Sequence, residues 1–138
     1  MKALIRCAAL LAGLLSQTAV HAYSHQELRQ DCMAAEEFYS QKKNSDPYQS
    51  IRGARCMAYV AGFVDGYGVG DFLSERVGVK LNAICLPEES QDLTYRLVRA
   101  VLAHLEHQPP NNQASTATLV AGALTKAFPC TETAEAKK

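Results

Sequence analysis

The positions of the cysteines constrain the fold of this chain more than any other feature. Cys32, Cys56, Cys85 and Cys130 are each more than 20 residues from the next. Zinc sites usually take their cysteines in close pairs such as CxxC, so this spacing disfavours a metal site. An even number of widely separated cysteines in a small exported domain is typical of disulfide bonds. We therefore expect two disulfides and no bound metal or other cofactor.

Residues 1–22 have the composition of a secretory signal peptide. Lys2 and Arg6 precede an apolar stretch, Ala8–Leu15, and small residues occupy the −3 and −1 positions before a cleavage site after Ala22. The apolar stretch is shorter than the ~20 residues of a transmembrane helix. We expect export to the periplasm, removal of the signal together with the fifth cysteine, and no membrane insertion of the mature chain.

The mature chain of 116 residues has a size that suits one domain with one modest core. Removal of the signal takes away two basic residues and leaves 12 basic against 14 acidic side chains. This balance disfavours nucleic-acid binding, which requires a basic face. We expect the domain to span residues 23–130 and the polar residues 131–138 to form a disordered tail.

The apolar pattern predicts helices and no strands. The first helix spans about Ser24–Lys43 and begins with an S-x-x-E capping box at Ser24. The second spans about Ile51–Tyr67 and carries an apolar face. Within it, Gly62 and Gly66 each cost about 1 kcal/mol in helix propensity, which close approach of a neighbouring helix would offset.

Residues 68–87 are predicted to be irregular, apart from one helical turn near Phe72–Arg76, because three glycines dilute the segment. A third helix follows, with Ser90 as its N-cap and a strong apolar stripe. It ends at Pro109-Pro110-Asn111-Asn112, and a fourth helix spans about Gln113–Phe128. The prediction is an all-α, small four-helix bundle-like domain.

Short connections place neighbouring helices of such a bundle antiparallel. This topology brings Cys85, before the third helix, near Cys130, after the fourth helix. It also allows Cys32 in the first helix to meet Cys56 near the start of the second. We therefore favour the disulfides Cys32–Cys56 and Cys85–Cys130, although four cysteines allow three connectivities.

Candidate catalytic and ligand-binding groups are few. His104 and His107 are three residues apart on the third helix, but a hydrolytic zinc site also requires a third ligand and a catalytic acid. The run Gly66–Gly70 closes a helix in this prediction, whereas a phosphate-binding loop opens one. Asp65 lies on an otherwise apolar helix, where we favour a structural role over a catalytic one.

Nucleophilic catalysis is also disfavoured. The cysteines of the mature chain are better explained as paired than as free nucleophiles, and the sequence contains no GxSxG nucleophile elbow. A helical domain of the cell envelope in which the sequence reveals no catalytic group is better explained as a binding protein than as an enzyme.

Three sequence segments resemble the Rap/Tai family of immunity proteins. Cys56–Gly66 is similar to the family's C-x-x-Y-[IV]-x-G-[FV]-x-D-[GA] segment, and Cys85-Leu86-Pro87 is similar to its C-x-P element. Leu119–Leu124, followed by Ala127–Cys130, resembles its closing LV-x-x-AL-x-x-AFPC signature. The three segments occur in the family's order and cover most of residues 50–130.

The resemblance implies a helical periplasmic protein that is commonly dimeric. Family members bind and sterically block peptidoglycan amidase effectors that type VI secretion systems of sibling cells deliver, and no cofactor is implied. The connection between the third and fourth helices is the implied inserting element. Here it consists of His107, Gln108, Pro109, Pro110, Asn111, Asn112 and Gln113.

Two segments depart from the family's pattern. Gln108 separates the histidine of the connection from its proline, where we would expect histidine directly before proline, and residues 68–83 match no family element. Both are candidate specificity surfaces. The alternative function is a periplasmic chaperone or stress-response binding protein with the same helical fold. A third hypothesis is an envelope enzyme or metal binder built on His104 and His107.

Overall fold

A computed structural model describes residues 23–40, 46–87, 92–109 and 113–130. These residues contain four helices and no strand. The helices are α1 (His25–Tyr39), α2 (Pro47–Glu75), α3 (Leu93–Glu106) and α4 (Thr116–Ala127). The prediction of an all-α, four-helix domain is therefore confirmed.

Polar side chains cap the N-termini of α1, α2 and α4. In the predicted capping box of α1, the Glu27 N–H donates to Ser24 Oγ over 3.2 Å, and the Ser24 N–H donates to the Glu27 carboxylate over 2.9 Å. Asp46 caps α2, whose first residue is Pro47, so this helix begins four residues earlier than predicted. Ser115 caps α4 by accepting a hydrogen bond from a backbone N–H in its first turn.

Helix α2 is 29 residues long and includes much of the segment that the sequence predicts to be irregular. That prediction is wrong for residues 68–75, since the run Gly66–Gly70 lies inside the helix and does not close it, whereas residues 76–87 are non-helical as predicted. At 1.5 Å per residue, α2 is about 44 Å long, roughly twice the length of α3. Its buried residues all precede Ala61, and the partly buried Phe63, Val64 and Tyr67 still pack against the core, so α2 extends beyond the core only after Tyr67.

The extension of α2 is stabilised by the residues that follow it. Residues 76–87, which we call the return segment, turn at Gly78 and run back along α2. The Tyr67 hydroxyl accepts the backbone N–H groups of Ala83 and Ile84 over 2.9 and 3.1 Å. Nearer the turn, a carboxylate oxygen of Asp71 accepts the N–H of Leu81 over 3.0 Å. These tertiary hydrogen bonds offset the low helix propensity of the glycines.

The core lies among the four helices, and α3 contributes the most residues to it. The buried side chains of α3 follow the stripe that the sequence predicts, namely Leu97, Val98, Val101, Leu102 and Leu105. The predicted N-cap of α3, Ser90, lies outside the described residues, and Asp92 precedes the helix without a side-chain capping bond. The amphipathic pattern therefore identified α3 correctly, although its exact start was not predicted.

Both favoured disulfides are confirmed. Cys32 and Cys56, with a Cα–Cα distance of 5.0 Å, join α1 to α2 inside the core, where both side chains are fully buried. Cys85 and Cys130, with a Cα–Cα distance of 4.9 Å, join the return segment to the residues after α4. There the Cys85 N–H also donates to the carbonyl of Phe128 over 2.9 Å.

Two helices approach each other closely at Gly53, and not at the predicted Gly62 and Gly66. A Cβ added at Gly62 or Gly66 would meet no atom within 4 Å, so the predicted approach at these two positions is wrong for this chain. A Cβ at Gly53 would lie 3.2 Å from the Cα and N atoms of Ala35. Gly53 therefore allows α1 and α2 to pack backbone to backbone.

The signal peptide at residues 1–22 and the tail at 131–138 lie outside the described residues and stay predictions. Within the part of the chain that the structure describes, no helix has both the length and the apolar character that a membrane span requires.

Candidate partner-binding surface

The connection between α3 and α4 is held firmly at its first residues. His107 ends α3, and its ring Nδ1 lies 2.7 Å from the carbonyl oxygen of Ala103. The side-chain amide of Gln108 lies 3.1 Å from Nε2 of His104 and 3.5 Å from the His104 carbonyl. The Gln108 that interrupts the family's histidine-proline pattern thus packs back onto α3. Pro110, Asn111 and Asn112, which form the centre of the predicted inserting element, lie outside the described residues.

The far end of this connection is held by the start of α4. Gln113 is exposed, and Ser115 caps the helix by accepting the N–H of Thr118 over 3.1 Å. The hydroxyl of buried Thr116 donates to the backbone carbonyl of Tyr23 over 2.6 Å. The connection therefore begins and ends on helices whose inner faces are buried in the core.

An ionic cluster beside Tyr23 is centred on a buried carboxylate and includes two partly exposed arginines. Asp31 of α1 is only 2% exposed. Its carboxylate accepts the Tyr23 hydroxyl over 2.5 Å and pairs with the Nε atoms of Arg52 and Arg55 over 3.5 and 3.3 Å. The Arg55 guanidinium also lies over the Tyr23 ring, 5.0 Å from its centre. Burial, followed by the hydrogen bond to Asp31, raises the pKa of Tyr23 well above its ordinary value of about 10.

A groove follows the seam between α3 and α4 and begins at His107. Its volume is about 470 Å³. The apolar part of its lining consists of four alanines, Ala100, Ala103, Ala123 and Ala127. The polar part consists of His104, His107 and Lys126. None of the described residues contributes a carboxylate to the lining of this groove. No carboxylate of the described residues forms an ion pair with Lys126.

A second groove lies on the other side of the same connection, between α1 and the end of α3. Its volume is about 430 Å³, and its lining includes His25, Arg29, Glu106 and Gln108. The acid and the bases in this lining give the second groove a mixed charge. The connection between α3 and α4 is therefore flanked by one groove of positive character and one of mixed character.

An exposed apolar surface lies at the C-terminal end of α2 and the start of the return segment. We call it the α2 apolar face; its members are Val69, Phe72, Leu73, Val77 and Val79, each more than half exposed. Gly62 and Gly66 continue it along α2 as open positions. Large apolar side chains that are exposed close together in sequence make this face a candidate interaction site.

The described residues do not assemble the ligands of a metal site. No group of three or more His, Cys, Asp or Glu side chains among them lies close enough to hold an ion. His104 and His107 instead line the α3–α4 groove, and Asp65 lies on the exposed side of α2. The cysteines are bonded in pairs, which leaves no free thiol among the described residues.

Sequence reasoning missed three of the side chains that organise these surfaces. Asp31 has a visible signal, since it is a charged residue next to Cys32 on the apolar side of α1, but its partners are distant in sequence. Tyr67 was predicted only as the last residue of the second helix, although its hydroxyl accepts hydrogen bonds from the return segment. Lys126 carried no signal of its own, because only the packing of α4 against α3 places it in the lining of the same groove as the two histidines.

The model of the Rap1a immunity proteins matches residues 24–130. The matched range includes all four helices, both disulfides and the whole connection between α3 and α4. Comparisons with curated proteins and with solved structures gave no significant match. Because the match covers well over half of the sequence, this chain belongs to the family of Rap1a immunity proteins.

Proposed function

We propose that this chain is a periplasmic immunity protein that binds a peptidoglycan amidase effector of a type VI secretion system and covers its active-site cleft. Membership of the immunity family supports binding of a cognate effector. The choice of an amidase follows from the resemblance of the sequence segments to the Rap/Tai proteins. The periplasm follows from the signal peptide predicted at residues 1–22 and agrees with two disulfides. The chain acts by binding, without catalysis or a cofactor.

The observation that carries this proposal is the set of hydrogen bonds that hold the two ends of the segment His107–Gln113. Its first residues bond back to α3, and Thr116, just after its end, bonds to Tyr23. A segment with fixed ends loses less conformational entropy when it enters a cleft than a free segment does. We therefore assign His107–Gln113 as the element that inserts into the amidase.

We further propose that two copies of the chain associate through the α2 apolar face. This face contains five large apolar side chains that this chain leaves exposed. Gly62 and Gly66, which meet no atom, leave room for a second α2 to approach closely. In such a dimer, each copy keeps its own inserting segment, because this segment lies at the end of α3 and away from the exposed end of α2.

The decisive experiment measures amidase activity against increasing immunity protein. The oxidised mature protein, lacking residues 1–22, is added to purified type VI amidases from related systems and from its own genome, and cross-link hydrolysis of peptidoglycan is followed. We expect one amidase to lose its activity at an equimolar ratio while the others keep theirs. Failure to inhibit or bind any of these amidases would reject the proposal.

A periplasmic chaperone remains the second candidate, and the α2 apolar face is the observation that favours it. A holdase needs exposed apolar surface that binds unfolded chains, and Phe72, Leu73 and Val77 supply such surface. The two functions differ in stoichiometry and selectivity. A chaperone would suppress aggregation of unrelated reduced proteins at similar ratios, whereas an immunity protein would leave them unprotected and would bind one folded amidase.

A further inference from the structure

We propose that the groove between α3 and α4 is a binding site for a glutamate or aspartate side chain on the surface of the effector, and that Lys126 is the cation that pairs with this side chain. This inference rests on the proposed function and adds to it the chemistry of the partner's surface. The proposal concerns the α3–α4 groove alone and leaves the centre of the inserting segment aside.

The groove directly adjoins the segment that we propose to enter the partner. His107 is the first residue of the inserting segment and also lines the groove. A protein that encloses the inserting segment therefore covers the entrance of the groove. Lys126 lies in the last turn of α4, so the groove extends away from the entrance along both helices.

The lining of the groove suits a short aliphatic chain that ends in a carboxylate. Four alanine methyl groups make its apolar part, which accommodates the methylene carbons of an acidic side chain. Lys126 supplies an ammonium group for which the described residues provide no ion pair. A partner carboxylate that is partly desolvated beside this ammonium gains a charge-assisted hydrogen bond.

Other cations near the helices are already engaged within the chain. Arg52 and Arg55 pair with Asp31, and Arg99 pairs with Glu36. In the second groove, Arg29 lies among residues that include Glu106, which would repel an incoming acid. The α3–α4 groove is therefore the one of the two beside the inserting segment whose charge complements an acidic side chain.

The existing contacts of the two histidines explain why we assign the cation to Lys126. The ring Nδ1 of His107 lies 2.7 Å from the carbonyl oxygen of Ala103, and Nε2 of His104 lies 3.1 Å from the side-chain amide of Gln108. Lys126 is the polar residue of the lining whose side-chain nitrogen has no such contact with the described residues.

The test is a titration of the isotope-labelled, oxidised mature protein at neutral pH with N-acetyl-Ala-Glu-Ala-amide, monitored by NMR. The matched probe is N-acetyl-Ala-Gln-Ala-amide, which has the same shape without the charge. We expect the glutamate peptide to cause saturable shifts of the Ala100, Ala123 and Ala127 methyl signals. Lys126→Ala is expected to weaken this binding about tenfold, and Lys126→Arg to keep it within about threefold. The control Lys80→Ala changes a surface lysine that pairs with Glu75 and lies outside the groove.

The proposal is overturned if the glutamate peptide gives no saturable shifts, if the glutamine peptide binds equally well, or if Lys126→Ala leaves the binding unchanged. Because no amidase is present in the titration, its result is independent of the amidase assay. If an amidase is inhibited but the peptide does not bind, the proposed immunity function stands and the carboxylate-binding site is rejected. If the peptide binds but no amidase is inhibited, the carboxylate-binding site stands and the amidase is rejected as the target.

Discussion

The phenolic hydroxyl of Tyr23 donates a hydrogen bond of 2.5 Å to the carboxylate of Asp31, which is almost completely buried in α1. Tyr23 is the first residue of the predicted mature chain. Its backbone carbonyl accepts the hydroxyl of Thr116 at the start of α4. One residue therefore connects the beginning of the mature chain to α1 and to the helix that follows the inserting segment.

Replacing Tyr23 with Phe tests this connection at neutral pH. The substitution keeps the ring that packs at 5.1 Å from the ring of Tyr59 but removes the hydroxyl from Asp31. We expect the free energy of unfolding to fall by about 1 kcal/mol, the usual contribution of one hydrogen bond. Urea unfolding followed by circular dichroism measures the change. A variant as stable as the wild type would show that the hydroxyl contributes no net stability.

The same first prediction extends to alkaline solution, where the raised pKa of Tyr23 leads to a loss of stability. Above about pH 10 an unfolded tyrosine loses its proton, whereas burial and Asp31 keep the folded Tyr23 protonated. Its contribution to stability is therefore complete below about pH 10 and is lost as the pH rises towards the folded pKa. The Tyr23→Phe variant should lose less stability than the wild type between about pH 7 and pH 11. Some loss will persist because burial also raises the pKa of Tyr59.

Gly53 gives a second prediction, because it is the site where α1 and α2 approach most closely. A methyl group there would lie 3.2 Å from backbone atoms of Ala35, and the adjacent Cys32–Cys56 disulfide restrains any separation of the helices. We expect Gly53→Ala to destabilise the fold by about 1–3 kcal/mol. The matched control is Gly68→Ala, which meets no atom within 4 Å and should stabilise α2 by up to about 1 kcal/mol. Equal effects at the two glycines would contradict the prediction.

Tyr67 gives a third prediction, which concerns the return segment. Tyr67→Phe removes the acceptor for the backbone N–H groups of Ala83 and Ile84. We expect hydrogen exchange of these two amides to accelerate by at least about tenfold, while the core amides of α3 change little. The control is Tyr48→Phe, at a tyrosine that is 76% exposed. Unchanged protection of both amides would mean that Asp71 and the Cys85–Cys130 disulfide hold the segment without Tyr67.

These contacts explain which parts of the fold the sequence predicts well. The capping box at Ser24, the apolar stripe of α3 and the pairing of neighbouring cysteines depend on residues close in sequence or on simple topology, and all are confirmed. The length of α2 depends instead on hydrogen bonds that Tyr67 and Asp71 accept from backbone N–H groups at least 10 positions away. A prediction from local helix propensity ends the helix at the glycines, because it does not include these tertiary contacts.

The same distinction applies to the partner-binding surface. The sequence resemblance identifies the connection His107–Gln113, because a family motif lies on either side of it. The groove beside it has no local signal. It forms only when the alanines of α3 meet those of α4, and this packing places Lys126 in its lining.

The α2 apolar face gives a fourth prediction, which tests the proposed dimer. Leu73 is 58% exposed in the isolated chain, so Leu73→Asp should not disturb the core. If two copies meet on this face, the buried charge should weaken dimerisation by at least about 100-fold. Ile51→Asp is a close control, because Ile51 lies on the same helix and is also 58% exposed, but near its opposite end. Analytical ultracentrifugation distinguishes the outcomes, and an unchanged dimer in Leu73→Asp would exclude this face as the interface.

The fifth prediction concerns the inserting segment itself. Residues 108–113 are replaced by a glycine-serine sequence of equal length, which keeps His107 and the Ser115 cap of α4. Because the side chains that enter the cleft are lost and the new segment is flexible, inhibition of the cognate amidase should weaken by about 100-fold or more. The free energy of unfolding should fall by no more than about 1 kcal/mol, since Gln108 is the only described residue replaced that bonds to α3. The control replaces residues 41–45, between α1 and α2, with a glycine-serine sequence of five residues. Full inhibition by the 108–113 variant, or equal loss in both variants, would show that the amidase contacts another part of the protein.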